Sequence, residues 1–353
     1  MNERRSPDRN AAPLLQVRNL HTWFRADGET VRAVDGASFH VDAGETFCLV
    51  GESGSGKSVS ALSVIGLLPA DLTERCDGEI LFRLDPRTDA APRDLLRLPE
   101  EELMQVRGGH IAMIFQEPMT SLNPVFTVGD QIVEAIRLAR PGVGYDEARR
   151  RAIEALAEVR IEPPELRVDE YPHRLSGGQR QRVMIAMAIA CRPGLLIADE
   201  PTTALDVTVQ AEILGLMQEL KRRRGMSLFF ITHDFGVVAR IADRVAVMRE
   251  GRIVETGTLE DVLERPAHAY TRQLLAAVPE NLARTSRHHG AAQTRLPETP
   301  PTPAARETPR AGPVGNTGVP GSAGGPIGNK GVPGSAGVPP ASTTADLRSA
   351  AGE

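Results

Sequence analysis

"TFCLVGESGSGKSVSALSVIGLL", residues 46–68, decides the fold. Thr46–Val50 is an apolar run of strand length. Gly51–Ser58, "GESGSGKS", is a glycine-rich turn, and "SVSALSVIGLL" after it is helical in pattern. Strand, G-x-x-x-x-G-K-S loop and helix in that order are what a phosphate-binding loop requires. Gly54 and Gly56 let the backbone wrap closely around phosphate oxygens. Lys57 reaches the β- and γ-phosphates, and the Ser58 hydroxyl is offered to Mg²⁺. Gly51, Glu52, Ser53, Ser55 and Val59 complete the expected nucleotide-binding stretch.

Working outward, three more runs read as strands: "IAMIF" (Ile111–Phe115), "LLIA" (Leu195–Ala198) and "SLFFIT" (Ser227–Thr232). Each ends at a polar residue, and ligands collect at strand ends in open α/β sheets. Asp199 and Glu200 follow the second run: Asp199 is placed to join the Mg²⁺ shell, Glu200 to take a proton from the water that attacks the γ-phosphate. His233 follows the third run and is expected at the γ-phosphate. Gln116 follows the first, where its amide meets Mg²⁺ or that water. "DRVAVMREGRIVETG" reads as a hairpin turning at Glu250-Gly251. Asp146–Val159 reads as an amphipathic helix with Ile153, Leu156 and Val159 on one face.

A second anion site lies at "RLSGGQRQRVMIAMAIA", residues 174–190. Ser176, Gly177, Gly178 and Gln179 open a helix, so free backbone N–H groups and the positive end of the helix dipole meet there. One chain thus carries two phosphate-binding turns.

Composition narrows the classes. Of 353 residues, 41 are Lys or Arg and 46 Asp or Glu, a net charge of -5, and aromatics are 4%. That balance gives no footprint for nucleic acid, and none is expected as a partner. Cys48, Cys76 and Cys191 are scattered, without metal or disulfide spacing. No secretory signal is legible and no run of some eighteen apolar residues exists, so a membrane role requires a partner that spans. Residues 1–13 are read as a flexible N-terminus and 14–280 as one α/β domain. Residues 281–353, rich in Pro, Gly, Ser and Thr with "GVPGSAG" twice, are read as a disordered tail.

In their order and spacing these residues resemble an ABC transporter ATP-binding subunit. The resemblance makes Gly51–Ser58 the Walker A, Gln116 the Q-loop, Ser176–Gln179 the signature and Leu195–Glu200 the Walker B. Thr203–Asp206 becomes the D-loop and His233 the switch histidine, and Phe24, beside Trp23, the aromatic that stacks on adenine. It implies an α/β P-loop NTPase (RecA-like) core with an antiparallel β subdomain and an inserted α-helical subdomain at about 117–190. It implies ATP and Mg²⁺, the metal held by Ser58, Gln116 and Asp199. Two subunits face head to tail, so the second anion turn serves the partner's ATP. "SVSALSVIGLLP", "IFQEPMTSLNPVFTVGDQI", "ALDVTVQAEIL" and "RPAHAYTRQLLAAVP" are similar to the peptide/nickel import branch, with Ala269 where proline is usual. That branch implies a second ATPase, two transmembrane permease subunits, an extracytoplasmic solute-binding protein and a peripheral place on the cytoplasmic face of the inner membrane. A soluble ABC ATPase of DNA repair or translation, and a regulatory subunit that binds ATP without hydrolysing it, are the alternative readings. The first lacks its tandem cassettes or coiled coil here, and the second is disfavoured by the presence of Glu200 and the signature glycines.

Overall fold

Thr46–Val50 is a strand buried along its whole length, and the domain is organised around it. The computed structural model describes residues 12–26, 28–85, 88, 91–116, 121–203 and 205–277. The expected flexible N-terminus up to residue 11 and the Pro/Gly-rich tail lie outside the described residues.

In chain order the strands are β1 (Leu15–Ala26), β2 (Glu29–Val41), β3 (Thr46–Val50), β4 (Thr73–Phe82), β5 (Arg93–Asp94), β6 (Ile111–Ile114), β7 (Leu195–Asp199), β8 (Ser227–Thr232), β9 (Arg244–Arg249) and β10 (Arg252–Thr258). The helices are α1 (Lys57–Ile65), α2 (Glu100–Val106), α3 (Val128–Ala139), α4 (Tyr145–Glu158), α5 (Pro164–Arg167), α6 (Gly177–Ala190), α7 (Val207–Arg224), α8 (Phe235–Ile241), α9 (Leu259–Glu264) and α10 (Ala269–Ala276).

A six-stranded sheet runs β10-β9-β3-β8-β7-β6, parallel except for the antiparallel edge strand β10. Its central strands are apolar on both faces, as expected where a parallel sheet is covered on both sides. On one side Phe47 and Leu49 pack with Ala61 and Val64 of α1 and with Phe39 and Ile80 of the other sheet. On the other, Cys48 and Val50 join the apolar faces of α3, α4, α6 and α7. The second sheet, β2-β1-β4-β5, is antiparallel.

The four strands read from the sequence are present. β6 stops at Ile114, one residue short of the expected end, and Phe115 is exposed. The expected hairpin is β9–β10, its turn made by Glu250 and Gly251, both at positive φ. The expected helix at Asp146–Val159 is α4. Its buried face carries Ala148, Ala152, Ala155 and Leu156, with Val159 at the cap, while Ile153 is only half-buried. Register does the rest of the positioning. Val50 lies beside Thr232, Ile231 beside Asp199, and Ala198 beside Ile114. The next residues along β3, β8, β7 and β6 therefore leave the sheet at one edge, the edge where open α/β sheets bind ligands.

Candidate nucleotide site

The phosphate loop is shaped by what its glycines exclude. Gly56 caps α1 at φ 101, and a Cβ there would lie 2.1 Å from the Ala33 carbonyl oxygen. A Cβ on Gly51 would lie 2.3 Å from the Met248 carbonyl oxygen. Gly54 has φ 76, in the left-handed region. The loop is also tied to the β9–β10 turn, where the Gly251 N–H donates to the Ser55 carbonyl at 3.0 Å. The start of α1 has no side-chain cap and no acidic residue in its first turn. Its opening amides and dipole are therefore left for an anion.

Lys57 is buried and folded back on its own loop, donating to the carbonyls of Gly51 at 3.0 Å and Glu52 at 2.7 Å. Burial holds its ammonium below the ordinary lysine range, against the raising pull of the nearby Glu200, Asp199 and Glu52 carboxylates. Ser58 Oγ donates to Asp199 Oδ1 at 3.0 Å. Asp199 is 4% exposed, and burial pushes its carboxyl up to about 6, with the Glu200 charge adding to the rise and Ser58 and Lys57 opposing it. A half-buried hydroxyl on a buried carboxylate is a hard-oxygen donor set of the kind Mg²⁺ takes alongside phosphate oxygens. The residues fit that ion.

Glu200 leaves β7 at φ 44, an unusual conformation for a residue with a side chain. Its carboxylate accepts from Thr203 Oγ1 at 2.9 Å and Gln116 Nε2 at 3.4 Å, and lies 3.0 Å from His233 Nδ1. Its side chain is 11% exposed, that of His233 59%. The structure thus gathers Glu200, His233 and Gln116, three residues from three strand ends. The hydrogen bond described for the Gln116 side chain runs to Glu200, not to Ser58 or Asp199. In the sequence Thr203 stands only within the D-loop stretch, and nothing in its spacing marks it as a partner of Glu200.

Phe24 and Trp23 are separated by their neighbours. Trp23 is flanked by Arg32 of β2 and Arg75 of β4, their guanidinium carbons 4.7 and 4.4 Å from its ring centre. Cation–π contacts therefore occupy the indole. Phe24 is half-buried at the end of the strand, next but one to Thr22, whose hydroxyl bonds Ser63 of α1 at 2.9 Å.

The second anion turn stands apart. Ser176 caps α6 in a capping box: its Oγ accepts from the Gln179 N–H at 3.3 Å, and Gln179 Oε1 accepts from the Ser176 N–H at 3.0 Å. Ser176 and Gly177 are exposed, and a Cβ on Gly177 would meet open space. A Cβ on Gly178 would come within 2.8 Å of Val209, so that glycine lets α6 approach α7. Among the described residues, no hydrogen bond joins Ser176–Gln179 to Gly51–Val59 or to Asp199 and Glu200.

A strand–loop–helix cradle, a Ser–Asp pair at its mouth and a carboxylate held beside it define a P-loop nucleotide-binding protein. The family model described as ABC transporter matches residues 34–203, and that described as oligopeptide/dipeptide transporter, C-terminal region, matches 254–305. The peptidoglycan transport ATP-binding protein YejF of Agrobacterium fabrum is 57% identical over 77% of the chain and 48% of its own length. The probable peptide ABC transporter ATP-binding protein y4tR of Sinorhizobium fredii is 52% identical over 81% of each. The chain thus spans about half of the first relative and four fifths of the second. The dimeric post-hydrolysis structure of the ATP-binding cassette MJ0796, bound to ADP and Pi, superposes with a TM-score of 0.59. It is 27% identical, over 69% of this chain and 98% of that one. The chain belongs to the ABC transporter family.

Proposed function

We propose that the chain binds ATP at Gly51–Val59, hydrolyses it, and so drives import of peptides or related solutes through partner permeases. Residues 14–280 form the ATP-binding domain, with about 117–190 as its helical subdomain. The observation that carries the reading is the grouping of Glu200, His233 and Gln116 beside the Ser58–Asp199 pair. Lys57 exchanges the Gly51 and Glu52 carbonyls for β- and γ-phosphate oxygens. The α1 amides of Lys57, Ser58 and Val59 bind the same phosphates, and Phe24 stacks on adenine. Mg²⁺ held by Ser58 and Asp199, with Gln116 as a further ligand, supplies charge neutralisation on the phosphates. Glu200 accepts the proton of the attacking water, and His233 orients Glu200 and meets the γ-phosphate.

Ser176–Gln179 serves a different ATP. The exposed signature turn leaves the Gly177 and Gly178 amides outside its capping box, which supports a site completed by the Ser176–Gln179 turn of a second ATPase subunit, identical or related. The dimeric, nucleotide-bound neighbour supports the same arrangement. Two permease subunits and an extracytoplasmic solute-binding protein complete the machine. Among the described residues no helix is long and apolar enough to cross a membrane; in the proposed complex the chain sits peripherally on the cytoplasmic face beside partners that span. The test is uptake of a labelled dipeptide by cells whose only copy carries Lys57→Ala. Loss of uptake and of ATP turnover together is expected; retained uptake contradicts the proposal.

A further inference from the structure

Glu52 is held through both of its backbone groups. Its carbonyl accepts from Lys57 Nζ at 2.7 Å, while its N–H donates outward to the Tyr270 hydroxyl at 3.4 Å. Tyr270 lies on α10, within the C-terminal region. The segment that delivers it is fixed by β10. Glu255 accepts from the N–H groups of Ala267 at 2.7 Å and His268 at 3.1 Å. His268 Nδ1 in turn caps α10 by accepting from the Tyr270 N–H at 3.2 Å. The Tyr270 ring is 5% exposed and packs in the helical-side core. The Arg249 guanidinium carbon lies 4.9 Å from its centre. Burial pushes the Tyr270 hydroxyl above its ordinary range; the Glu52 amide that it accepts from opposes the rise, and the Glu52 carboxylate, also its hydrogen-bond partner, adds to it.

We infer that Tyr270 is a positioning residue for the nucleotide site, and that the C-terminal region props the phosphate loop through it. The inference rests on reading Gly51–Ser58 as that site. An anion loop binds well only if its amides are already aimed before the phosphate arrives, because ordering the loop on binding subtracts from affinity. The Glu52 amide is spent on Tyr270 and is not among the α1 amides of Lys57, Ser58 and Val59 assigned to phosphate, so a hydrogen bond there fixes the loop without competing for phosphate. The chemistry also accounts for two residue types in "AHAYT", since His268 caps and Tyr270 reaches the loop, while the backbone amides of Ala267 and His268 seat on Glu255.

The test uses the full chain carrying Tyr270→Phe, which keeps the ring and removes the hydroxyl. Binding of a fluorescent ATP analogue should weaken about three- to tenfold, the scale of one lost hydrogen bond. KM for ATP should rise by a like factor with kcat at saturation unchanged. Amide hydrogen exchange at Glu52 should accelerate, while the melting temperature without nucleotide drops by only a few degrees. Glu255→Gln, which loosens the seat of the segment, should move KM and Glu52 exchange the same way and serves if the phenylalanine variant does not fold. Unchanged nucleotide affinity and unchanged Glu52 exchange overturn the inference. Lys57→Ala separates the two layers. If it binds nucleotide normally, the site reading fails and the inference with it. If it loses binding while Tyr270→Phe is unaltered, the inference alone fails.

Discussion

Asp199→Asn should stabilise the nucleotide-free protein while crippling its metal-dependent function. The carboxyl is pushed from its ordinary 3.8 up to about 6, chiefly by burial. A carboxyl raised in the fold is protonated more readily there than in the unfolded chain. Folding is therefore unpenalised below about 3.8, loses stability as pH climbs toward about 6, and carries the full cost above it. At about 1.4 kcal/mol per pH unit, that cost is about 3 kcal/mol at pH 7.5 and about half as much at pH 5. Asparagine keeps the shape and the acceptor facing Ser58 Oγ but carries no charge. Allowing for imperfect amide packing, the gain should be about 1–3 kcal/mol at pH 7.5, or about 2–4 °C in melting temperature per kcal/mol for a domain of this size. The assay is thermal unfolding of both proteins without nucleotide or Mg²⁺ at several pH values from 5 to 8, with Mg²⁺-dependent nucleotide binding measured in parallel. The melting gap should roughly halve between pH 7.5 and pH 5, and the Mg²⁺ dependence should be lost. A variant no more stable than the parent at pH 7.5, or a gap that ignores pH, would refute the reasoning.

Three further outcomes are expected. Glu200→Gln should retain ATP binding and lose at least about a hundredfold in turnover, because an amide keeps the contacts to Thr203 and Gln116 but cannot take a proton; turnover assays on purified protein check it. Gly56→Ala should lower the melting temperature by several degrees and abolish nucleotide binding, since its Cβ would meet the Ala33 carbonyl at 2.1 Å and φ 101 is strained for alanine. His233→Ala should cut turnover more than ATP affinity, read from kcat and binding separately, because the imidazole touches Glu200 and not the phosphate loop.

The nucleotide core is legible in the sequence because a buried parallel strand is a solid apolar run, and each of β3, β7 and β8 is one. The one or two residues after such a run land at the ligand edge, so Gly51, Asp199, Glu200, His233 and, after the run Ile111–Phe115, Gln116 are readable from the order of residues alone. The antiparallel sheet is different. β1 shifts register between Val17 and Leu20, again at His21 and again at Trp23, and Asn19, Gly36 and Gly78 take positive φ beside those shifts. Such irregularities break the two-residue alternation by which strands are recognised, so only the family resemblance implies this sheet. The separation of Phe24 from Trp23 also depends on neighbours, because the two guanidiniums over Trp23 come from strands far apart in sequence. Tyr270 is visible in the sequence only as part of a motif. Its contact with Glu52 spans 218 residues, and no local pattern encodes a pairing of that separation.

The central claim is that the ATP on Gly51–Ser58 is closed by the Ser176–Gln179 turn of another subunit. The most direct measurement is light scattering of the Glu200→Gln chain, alone and with any second ATPase recovered by co-purification, before and after adding ATP and Mg²⁺, with and without Ser176→Arg. The arginine fills the exposed turn and removes one helix cap, a loss of about 1 kcal/mol that a melting curve will register, but leaves Lys57, Ser58 and Asp199 untouched. The account predicts that ATP drives Glu200→Gln subunits into dimers. With Ser176→Arg added, the subunits should bind fluorescent ATP equally well and remain monomers. Dimers that form equally well with the arginine in place, or a Ser176→Arg monomer that no longer binds ATP, would contradict it.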